Sequence, residues 1–562
     1  MSTERLSLII LLRFFCVVPF FLNAQEKRFE LHPVSWEFRL LVSCFLDSSK
    51  QDHSSVWPQK QSDFGYSNFE RLVYNGEKEK ESLDIKYKDF GLKKIWRNLE
   101  KKVYYEDFYS VEHEDFSIYF NYILNLSLGF DRNRIEGHKT FLNTRGFIVE
   151  GRLGKKFSFQ TIFMEQQAYF PKYQSVYFNN KGSSLGLVMH RGYKNFGFDF
   201  PFAVGEISYN LNKFFNISAG HGSHFFGEGY RSMLLSDHTV PYGYLRLETN
   251  FWKLRYINLY ALLNDINPAT SLNGIYAKNF ASIHYLDISL SKRWNFSIFE
   301  SYITGQSLTT SSAIDINFLN PIIFYRALEA NRGFELGNAM VGLSMSYQIN
   351  DNLKIYSQLA IDDFMFTGLK EISQGHRDNY HSWQIGSKYF SAIGVNKFTA
   401  LIEVNSARPF MYSHRGTLTN YESQGLPLAH PWETNFRELV ILFFYKRGRW
   451  EFLNKVNIGK RGMDTSLVNM GNDIRRSYED REDFELGYFT GGPVSRDIFY
   501  LTNSISYVIN PITNMRLELK YIYRKENFNF LYEEFNRNVV LGNSNWISFG
   551  IRTALFWGYE DF

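Results

Sequence analysis

The chain has 562 residues, and 62 lysines and arginines against 58 aspartates and glutamates leave a net charge of only +4. Because these charges are spread along the chain, the sequence lacks the clustered basic face of a dedicated nucleic-acid-binding protein. Aromatic residues make up 18% of the chain, yet the mean hydropathy is −0.30. This combination is typical of a membrane β-barrel, in which apolar and polar positions alternate and aromatic residues line both interfaces.

The N-terminus has the features of an export signal. A charged start and an apolar run end at the small residue Ala24, so we expect cleavage before Gln25 and removal of residues 1–24. The mature chain would then hold Cys44 alone, which excludes an intramolecular disulfide. After Ala24 no run approaches the ~18 apolar residues of a spanning helix. Any membrane crossing must therefore be made by strands.

Residues 25–115 are predicted to form a separate, partly helical segment. Within the stretch GLKKIWRNLEKKV, one helical face is apolar and consists of Leu92, Ile95, Trp96, Leu99 and Val103. The opposite face is mostly lysine and arginine. The simplest interpretation is a surface helix packed on its neighbour, of which a plug at the periplasmic end of a barrel is a special case. We expect this N-terminal segment to be such a periplasmic plug.

From residue 116 onward the sequence pattern has a period of two. In FSIYFNYILNLSLGF every second position from Ile118 to Phe130 is apolar, which is typical of a membrane-crossing strand. Tight links such as Gly154-Lys155 and Asn212-Lys213 suit hairpin turns, and they alternate with long polar loops. The long loops occupy residues 304–336, 407–435 and 461–497.

Residues 116–562 therefore predict an all-β fold, a transmembrane antiparallel β-barrel. About 18 strands can be traced, near what ~450 residues supply at roughly 25 residues per strand and connection. Short turns would face the periplasm and long loops the exterior. The alternative, a secreted array of β-sandwiches, would show shorter strands and no difference between the connections at the two ends.

The final strand is predicted to run through WISFGIRTALFWGY. One face of it would consist of Ile547, Phe549, Ile551, Leu555, Trp557 and Tyr559. Phe562 resembles the aromatic end that outer-membrane barrels present to their assembly machinery. It is out of step with that face, which predicts a bulge or a frayed end.

The stretch GHGSHFFGEGYRS, residues 220–232, contains side chains suited to catalysis or metal binding. His221 and His224 would point to opposite faces of a strand, and His224 with Glu228 would leave a zinc site incomplete. Ser223 beside His224 could suggest a lipid hydrolase, but the chain has no G-x-S-x-G motif. We expect no enzyme activity, no metal and no cofactor. Two interpretations remain: a loop that folds inward and narrows the barrel, or a loop that contacts a glycan.

In its longer form, GHGSHFFGEGYRSMLLSDHTVPYGYLRLETNFWK, this stretch resembles the signature of the Wzi-type capsule assembly barrels, and still more that of the RemB-like gliding motility proteins. Three further segments agree in the expected order: NTRGFIVEGRLGKKFSFQTIFMEQQAYFPKY, INFLNPIIFYRALE and PLAHPWETNFREL. The resemblance implies a plugged outer-membrane barrel of about 18 strands without enzyme activity. It also implies involvement with surface polysaccharide or adhesion. Wzi-type proteins carry tryptophan and proline where this chain has Phe225, Phe226 and Glu228, so their glycan specificity does not transfer.

The sequence thus predicts a non-enzymatic barrel of the cell outer membrane that acts in gliding motility or in capsule assembly and attachment. Its expected partners are outer-membrane lipid and surface polysaccharide or motility proteins. The loops 220–242 and 409–435 would share the exterior rim and could form one glycan surface, with Tyr230 and Trp432 stacking on sugars. Hydrogen bonds would come from Arg231, His221 and His430. Two alternatives stay open: a transport channel with a conducting lumen, and a barrel hydrolase with an essential serine.

Overall fold

The computed structural model describes residues 36–37, 39–40, 43, 53–59, 99–134, 137–183, 189–266, 276–306, 319–322, 337–364, 374–393, 396–465, 468–482, 484–529, 541–553 and 559–562. Its main feature is a closed antiparallel barrel of 18 strands, which confirms the predicted fold class. Among the described residues, no helix is both long enough and apolar enough to span a bilayer.

The barrel strands are numbered here in chain order: β1 Phe116–Asp131, β2 Lys139–Leu153, β3 Phe157–Tyr169, β4 Gly197–Asn210, β5 Phe215–Gly222, β6 Tyr242–Phe251, β7 Leu254–Asp265, β8 Ala277–Ser289, β9 Trp294–Gln306, β10 Asn338–Asn350, β11 Leu353–Phe364, β12 Asn379–Ile393, β13 Asn396–Ala407, β14 Phe436–Arg447, β15 Trp450–Gly462, β16 Ser495–Asn510, β17 Met515–Phe528 and β18 Ser544–Arg552. Helix α1, Lys172–Lys181, follows β3. Each strand pairs with the next, and β18 closes the barrel on β1, with Ile547 opposite Phe130.

The connections differ systematically between the two ends of the barrel. At one end they are short, such as residues 154–156 between β2 and β3 and 511–514 between β16 and β17. At the other end they are long, such as 408–435 between β13 and β14 and 463–494 between β15 and β16. This confirms the predicted alternation. The periodicity has the predicted cause as well: along β1, Leu128 faces outward and is exposed, whereas Asn125 faces the lumen and is buried.

One part of the outer wall departs from this pattern. Arg255 of β7 points into the lumen and donates to Gln59, so the even-numbered positions of β7 face outward. There, Tyr256 and Tyr260 donate to the carbonyl oxygens of Pro321 (2.7 Å) and Leu319 (3.1 Å). Residues 319–322 of the β9–β10 connection therefore lie against the outside of the barrel.

Residues of the N-terminal segment lie inside the lumen. Val56–Trp57 pairs in antiparallel fashion with Phe225–Phe226, and these four residues are buried. Farther along the segment, residues 99–104 are helical and Leu99 is 53% exposed. Asn510, at the short-turn end, donates to the carbonyl oxygens of Lys102 and Glu106 beside that helix.

The helix predicted to plug the barrel is only partly within the described residues. Leu92, Ile95 and Trp96 lie outside them, so a sealing role of this helix stays a prediction. The described N-terminal residues that occupy the lumen belong instead to the earlier stretch 36–59.

The final strand is shorter than the sequence predicts. Strand β18 ends at Arg552, Leu555 and Trp557 lie outside the described residues, and the placement of Tyr559 on the outer face is wrong. Tyr559 is buried in the lumen, where its hydroxyl donates to Asp237 (2.8 Å). Asp561 is an acidic residue, and a carboxylate on the lipid face would be costly. Residues 559–562 therefore fold into the polar interior. Phe562 packs there on Tyr177 of α1, with ring centroids 4.0 Å apart.

Candidate functional site

Two long connections fold into the lumen and hold each other. We call residues 223–241, between β5 and β6, and residues 408–435, between β13 and β14, the inner loops. The amide of Ser236 donates to the carbonyl of Leu428 (2.7 Å). The hydroxyl of Tyr421 donates to the carbonyl of Leu234 (2.7 Å). The loops 220–242 and 409–435, which the sequence predicts to share one rim, are thus in direct contact. Both loops fold inward, as in the first of the two interpretations.

A glycine lets the first inner loop approach the barrel wall. A Cβ at Gly229 would overlap the carboxylate of Glu403, which projects inward from β13. With hydrogen at this position, that carboxylate accepts the amides of Tyr230 (2.9 Å) and Arg231 (3.1 Å). Two backbone donors that would otherwise be buried without partners are thereby satisfied. The turn at residues 229–231 is therefore fixed to the wall.

Arg231 is the centre of a buried ion network. Its guanidinium bonds Glu438 of β14 at 2.8 Å and Asp561 at 3.1 Å, and all three side chains are fully buried. Asn457 also donates to Glu438. Burial alone would lower the pKa of Arg231, but the carboxylates of Asp561 and Glu438 hold it well above its ordinary value. Arg231 therefore stays charged and joins the first inner loop to β14 and to residues 559–562.

His430 and Trp432 of the second inner loop meet the same network. The Nε2 of His430 lies 2.8 Å from Glu438, and its Nδ1 accepts the amide of Trp432 (3.0 Å). An imidazole that accepts at Nδ1 and donates at Nε2 is neutral. Burial accordingly lowers the pKa of His430 to about 4, although Glu438 opposes that shift. Trp432 donates its indole N–H to the carbonyl of Asp561 (3.1 Å).

Tyr230 completes the cluster on the side of the N-terminal segment. Its hydroxyl donates to Asp561 (2.9 Å) and accepts from Lys455 of β15 (2.7 Å). Trp36 meets the Tyr230 ring edge-on at 5.0 Å. Arg39 donates to the Tyr230 carbonyl (3.0 Å) and to Tyr559 (2.9 Å). The N-terminal segment, the first inner loop and residues 559–562 are consequently linked at one point.

The structure thus brings together four of the five residues predicted to contact a glycan. Tyr230, Arg231, His430 and Trp432 form one cluster, and each is at most 2% exposed. His221 is not part of it. It lies on the outer face of β5, exposed, with its ring near the carbonyl of Ala203. The glycan role of the five residues stays a prediction. The contacts of the four buried residues hold the inner loops to the barrel wall and to residues 559–562.

Glu228 forms a second buried ion network. It accepts from Lys354 of β11 (2.7 Å), Lys388 of β12 (2.9 Å) and the hydroxyl of Ser54 (2.7 Å). Burial acts to raise the pKa of Glu228, but the two ammonium groups hold it well below its usual range. The described part of the chain has no group of three or more His, Cys, Asp or Glu side chains that could hold a metal. Glu228 thus serves as a counter-ion for two wall lysines.

Above the inner loops lies a second layer, which sequence reasoning did not single out. We call residues 374–378, 473–482 and 484–492, together with residues 413–417 at the outer end of the second inner loop, the outer layer. Its parts are joined by backbone bonds, such as Tyr488 N–H to Gly375 O (3.0 Å), and Tyr488 packs on Phe410 of the second inner loop. Phe484 and Phe489 remain exposed, by 42% and 48%. The only signal in the sequence is the density of arginine and aromatic residues in RRSYEDREDFELGYF.

A space with a mixed polar and apolar lining remains in the lumen beside this cluster. It has a volume of about 110 Å³ and lies between the wall and residues 559–562. Its lining includes Asn125, Gln166, Lys520, Arg552 and Phe562. Such a mixed lining suits water or a small solute that has both polar and apolar faces.

No protein-family model matches the chain, and no curated protein matches it. Among solved structures it is similar to Wzi of Escherichia coli, an outer-membrane protein involved in group 1 capsule assembly and described as a carbohydrate-binding β-barrel. The identity is 11%, the TM-score is 0.52, and the match covers 94% of this chain and 99% of Wzi. OprD of Pseudomonas aeruginosa (11% identity, 78% and 94% covered) and a BenF-like porin of Pseudomonas fluorescens Pf-5 (9%, 77% and 97%) match with TM-scores of 0.40. The likeness to Wzi shows a shared fold over nearly the whole chain; the two porins are too distant to support a conclusion.

Proposed function

We propose that this protein is an outer-membrane barrel that acts at the cell surface by holding surface polysaccharide, in capsule attachment or in gliding motility. The observation that carries the proposal is the filling of the lumen. Interlocked inner loops, tied by buried ion pairs, lie under an ordered outer layer that exposes aromatic side chains. The shared fold with the carbohydrate-binding barrel Wzi and the RemB-like sequence segments support the same role.

The outer layer is the surface that would meet the polysaccharide. Aromatic rings such as Phe484 and Phe489 offer flat apolar faces for sugar rings. Arg415 and Glu479 form an ion pair at 2.7 Å, and each side chain is about half exposed. Half-exposed ion pairs of this kind can exchange one partner for a sugar hydroxyl or acid group. The buried cluster around Arg231 would act indirectly, by holding the inner loops that support this surface.

Two double variants distinguish residues that would contact the polysaccharide from residues that only hold the inner loops in place. Phe484→Ala with Phe489→Ala removes exposed rings, so the barrel should assemble with unchanged heat stability while capsule retention or colony spreading falls. Tyr230→Ala with Arg231→Ala removes buried partners, so heat stability should fall first and surface behaviour should follow the amount of assembled protein. Normal retention and spreading in an assembled Phe484/Phe489 variant would contradict the proposed surface.

The second candidate function is a transport channel, and the observation that favours it is the space left in the lumen beside residues 559–562. Planar-bilayer recordings distinguish the two functions. A surface-holding protein with a filled lumen should show no steady conductance, whereas a stable open level in the wild-type protein would support transport.

A further inference from the structure

The outer wall of the barrel carries an open groove at its long-loop end. The groove lies between residues 132–134 and 137–138, in the connection from β1 to β2, and residues 194–196, which precede β4. Its volume is about 740 Å³. The lining includes Phe130, Arg134, Lys139, Tyr169, Lys194 and Phe196. We call it the rim groove.

The rim groove opens onto the lipid-facing side of the barrel. Phe130 and Lys139 are partners in the β1–β2 register and share the outward face. Below them the wall is apolar and exposed: Leu128 is 74% exposed, and Phe549 of β18 lies opposite it. A belt of outward rings adjoins the groove, with the centroids of Phe141 and Tyr169 4.8 Å apart. This order, apolar wall, then aromatic belt, then charge, matches the order of zones at a membrane interface.

Basic side chains surround the mouth of the groove. Lys139, Lys194 and His138 are exposed. The floor is held by Arg134, which is buried and donates to the carbonyl of Lys139 (2.8 Å) with its guanidinium 5.0 Å from the Tyr169 ring. Arg134 therefore fixes the backbone that carries Lys139, and the basic groups lie at the boundary of the apolar wall.

The described acidic neighbours leave this charge largely uncompensated. Asp131 is fully buried and accepts the amides of Lys172 (2.9 Å) and Asn545 (3.1 Å). Asp199 of β4 lies opposite Arg191 of the short strand Arg191–Tyr193. Neither carboxylate lines the groove. The exposed lysines are thus complementary to an anion placed at the top of the apolar wall.

We propose that the rim groove binds the phosphorylated headgroup of an outer-leaflet glycolipid. Phosphate lies between Lys139 and Lys194, sugar rings lie against Phe130 and Phe196, and the acyl chains follow the apolar wall toward Leu128. This assignment rests on the proposed outer-membrane location. Lysines that extend their stems along apolar surface and hold the ammonium at the headgroup level are a usual way to anchor a barrel to anionic lipid.

The test uses the full chain in neutral detergent and measures the affinity for diphosphorylated lipid A by native mass spectrometry. The variant Lys139→Gln with Lys194→Gln removes both ammonium groups. Because each basic residue near an anionic lipid surface contributes roughly fivefold in affinity, the variant should bind about 30-fold more weakly. The matched control is Lys213→Gln with Lys253→Gln at the short-turn end. There, Lys253 lies over Trp252 at 5.4 Å, much as Lys194 lies over Tyr193 at 5.1 Å. The control should bind as the wild type does.

Three further results decide the assignment. Equal losses in the two double variants would overturn it, because the charge effect would not be local to the groove. Equal binding of lipid A without phosphates would also overturn it, and so would inorganic phosphate that binds as tightly as the glycolipid, which indicates a free-phosphate site. Capsule retention and spreading of the Phe484/Phe489 variant are measured separately, so failure of the proposed function there leaves the lipid result intact.

Discussion

Replacing Glu228 by glutamine tests whether buried charge holds the first inner loop. The substitution keeps the shape of the side chain, removes its charge and replaces one of its two acceptor oxygens by a donor. Lys354 and Lys388, both buried, would then face each other across a neutral amide. The carboxylate is ionised in the folded protein because these two ammonium groups lower its pKa. The exchange therefore removes a full negative charge.

The distances set the size of the expected effect. Glu228 lies 2.7 Å from Lys354 and 2.9 Å from Lys388. At an effective dielectric constant of ~20, each of these two ion pairs has a gross Coulomb energy of about 6 kcal/mol. Desolvation of three buried charged groups offsets most of this, and removing one charge from a buried ion pair costs about 3–5 kcal/mol in practice. Opening of the loop should therefore become roughly 150- to 4000-fold more frequent.

Hydrogen–deuterium exchange at the amides of Tyr230, Arg231 and Met233 reports that opening, because all three donate to wall side chains. Glu479→Gln is the matched control. It breaks a carboxylate pair of the same 2.7 Å length with Arg415, but at the surface, where such pairs contribute about 0–1 kcal/mol. Exchange in the Glu228 variant within a few-fold of the control would refute the reasoning.

Two further predictions concern the same inner loops. Because the pKa of His430 is lowered to about 4 from 6.5, the folded protein binds fewer protons than the unfolded one between these values. The second inner loop should thus lose about 3 kcal/mol as the pH falls through that window, measured by amide exchange, and His430→Gln should remove most of this dependence. Gly229→Ala places a methyl group against the Glu403 carboxylate and should cost about 1–3 kcal/mol, measured as a lower temperature for the gel-mobility shift. Gly243→Ala, with open space around it, should leave that temperature unchanged, and equal shifts would contradict the close approach.

The strands of the barrel wall could be predicted because lipid on one side and a polar lumen on the other impose an alternating sequence pattern. A strand between lipid and a polar lumen must alternate, so the run from Ile118 to Phe130 indicates both its conformation and its outward face. The hairpin turns follow from local backbone chemistry at positions such as Gly154, whose φ is +62°. The same logic misplaced Tyr559. Its apolar character fits the outward phase, but nothing in a period of two records that Asp561 needs partners in the lumen.

The interior could be predicted only as a pair of alternatives. Aromatic and polar residues in a long loop suit an inward brace and an exposed glycan surface equally well, and the choice depends on partners far away in sequence. Arg231 finds Glu438 and Asp561 at separations of 207 and 330 residues, which no local motif encodes. The position of His221 follows from parity along β5, because residue 221 shares the outward phase of Phe215.

The buried ion pairs favour a static surface over a lumen that opens. Withdrawing the first inner loop from the barrel would separate Glu228 from Lys354 and Lys388, and Arg231 from Glu438. Each separation leaves charges in a poorly solvated interior, at a cost of about 3–5 kcal/mol. The second inner loop would lose its bonds to Leu234 and Ser236 at the same time. The outer layer rests on that loop through Phe410 and Tyr488. A rigid interior thus keeps the exposed rings in fixed positions, which benefits a protein that holds an extended polymer and hinders one that must admit solutes.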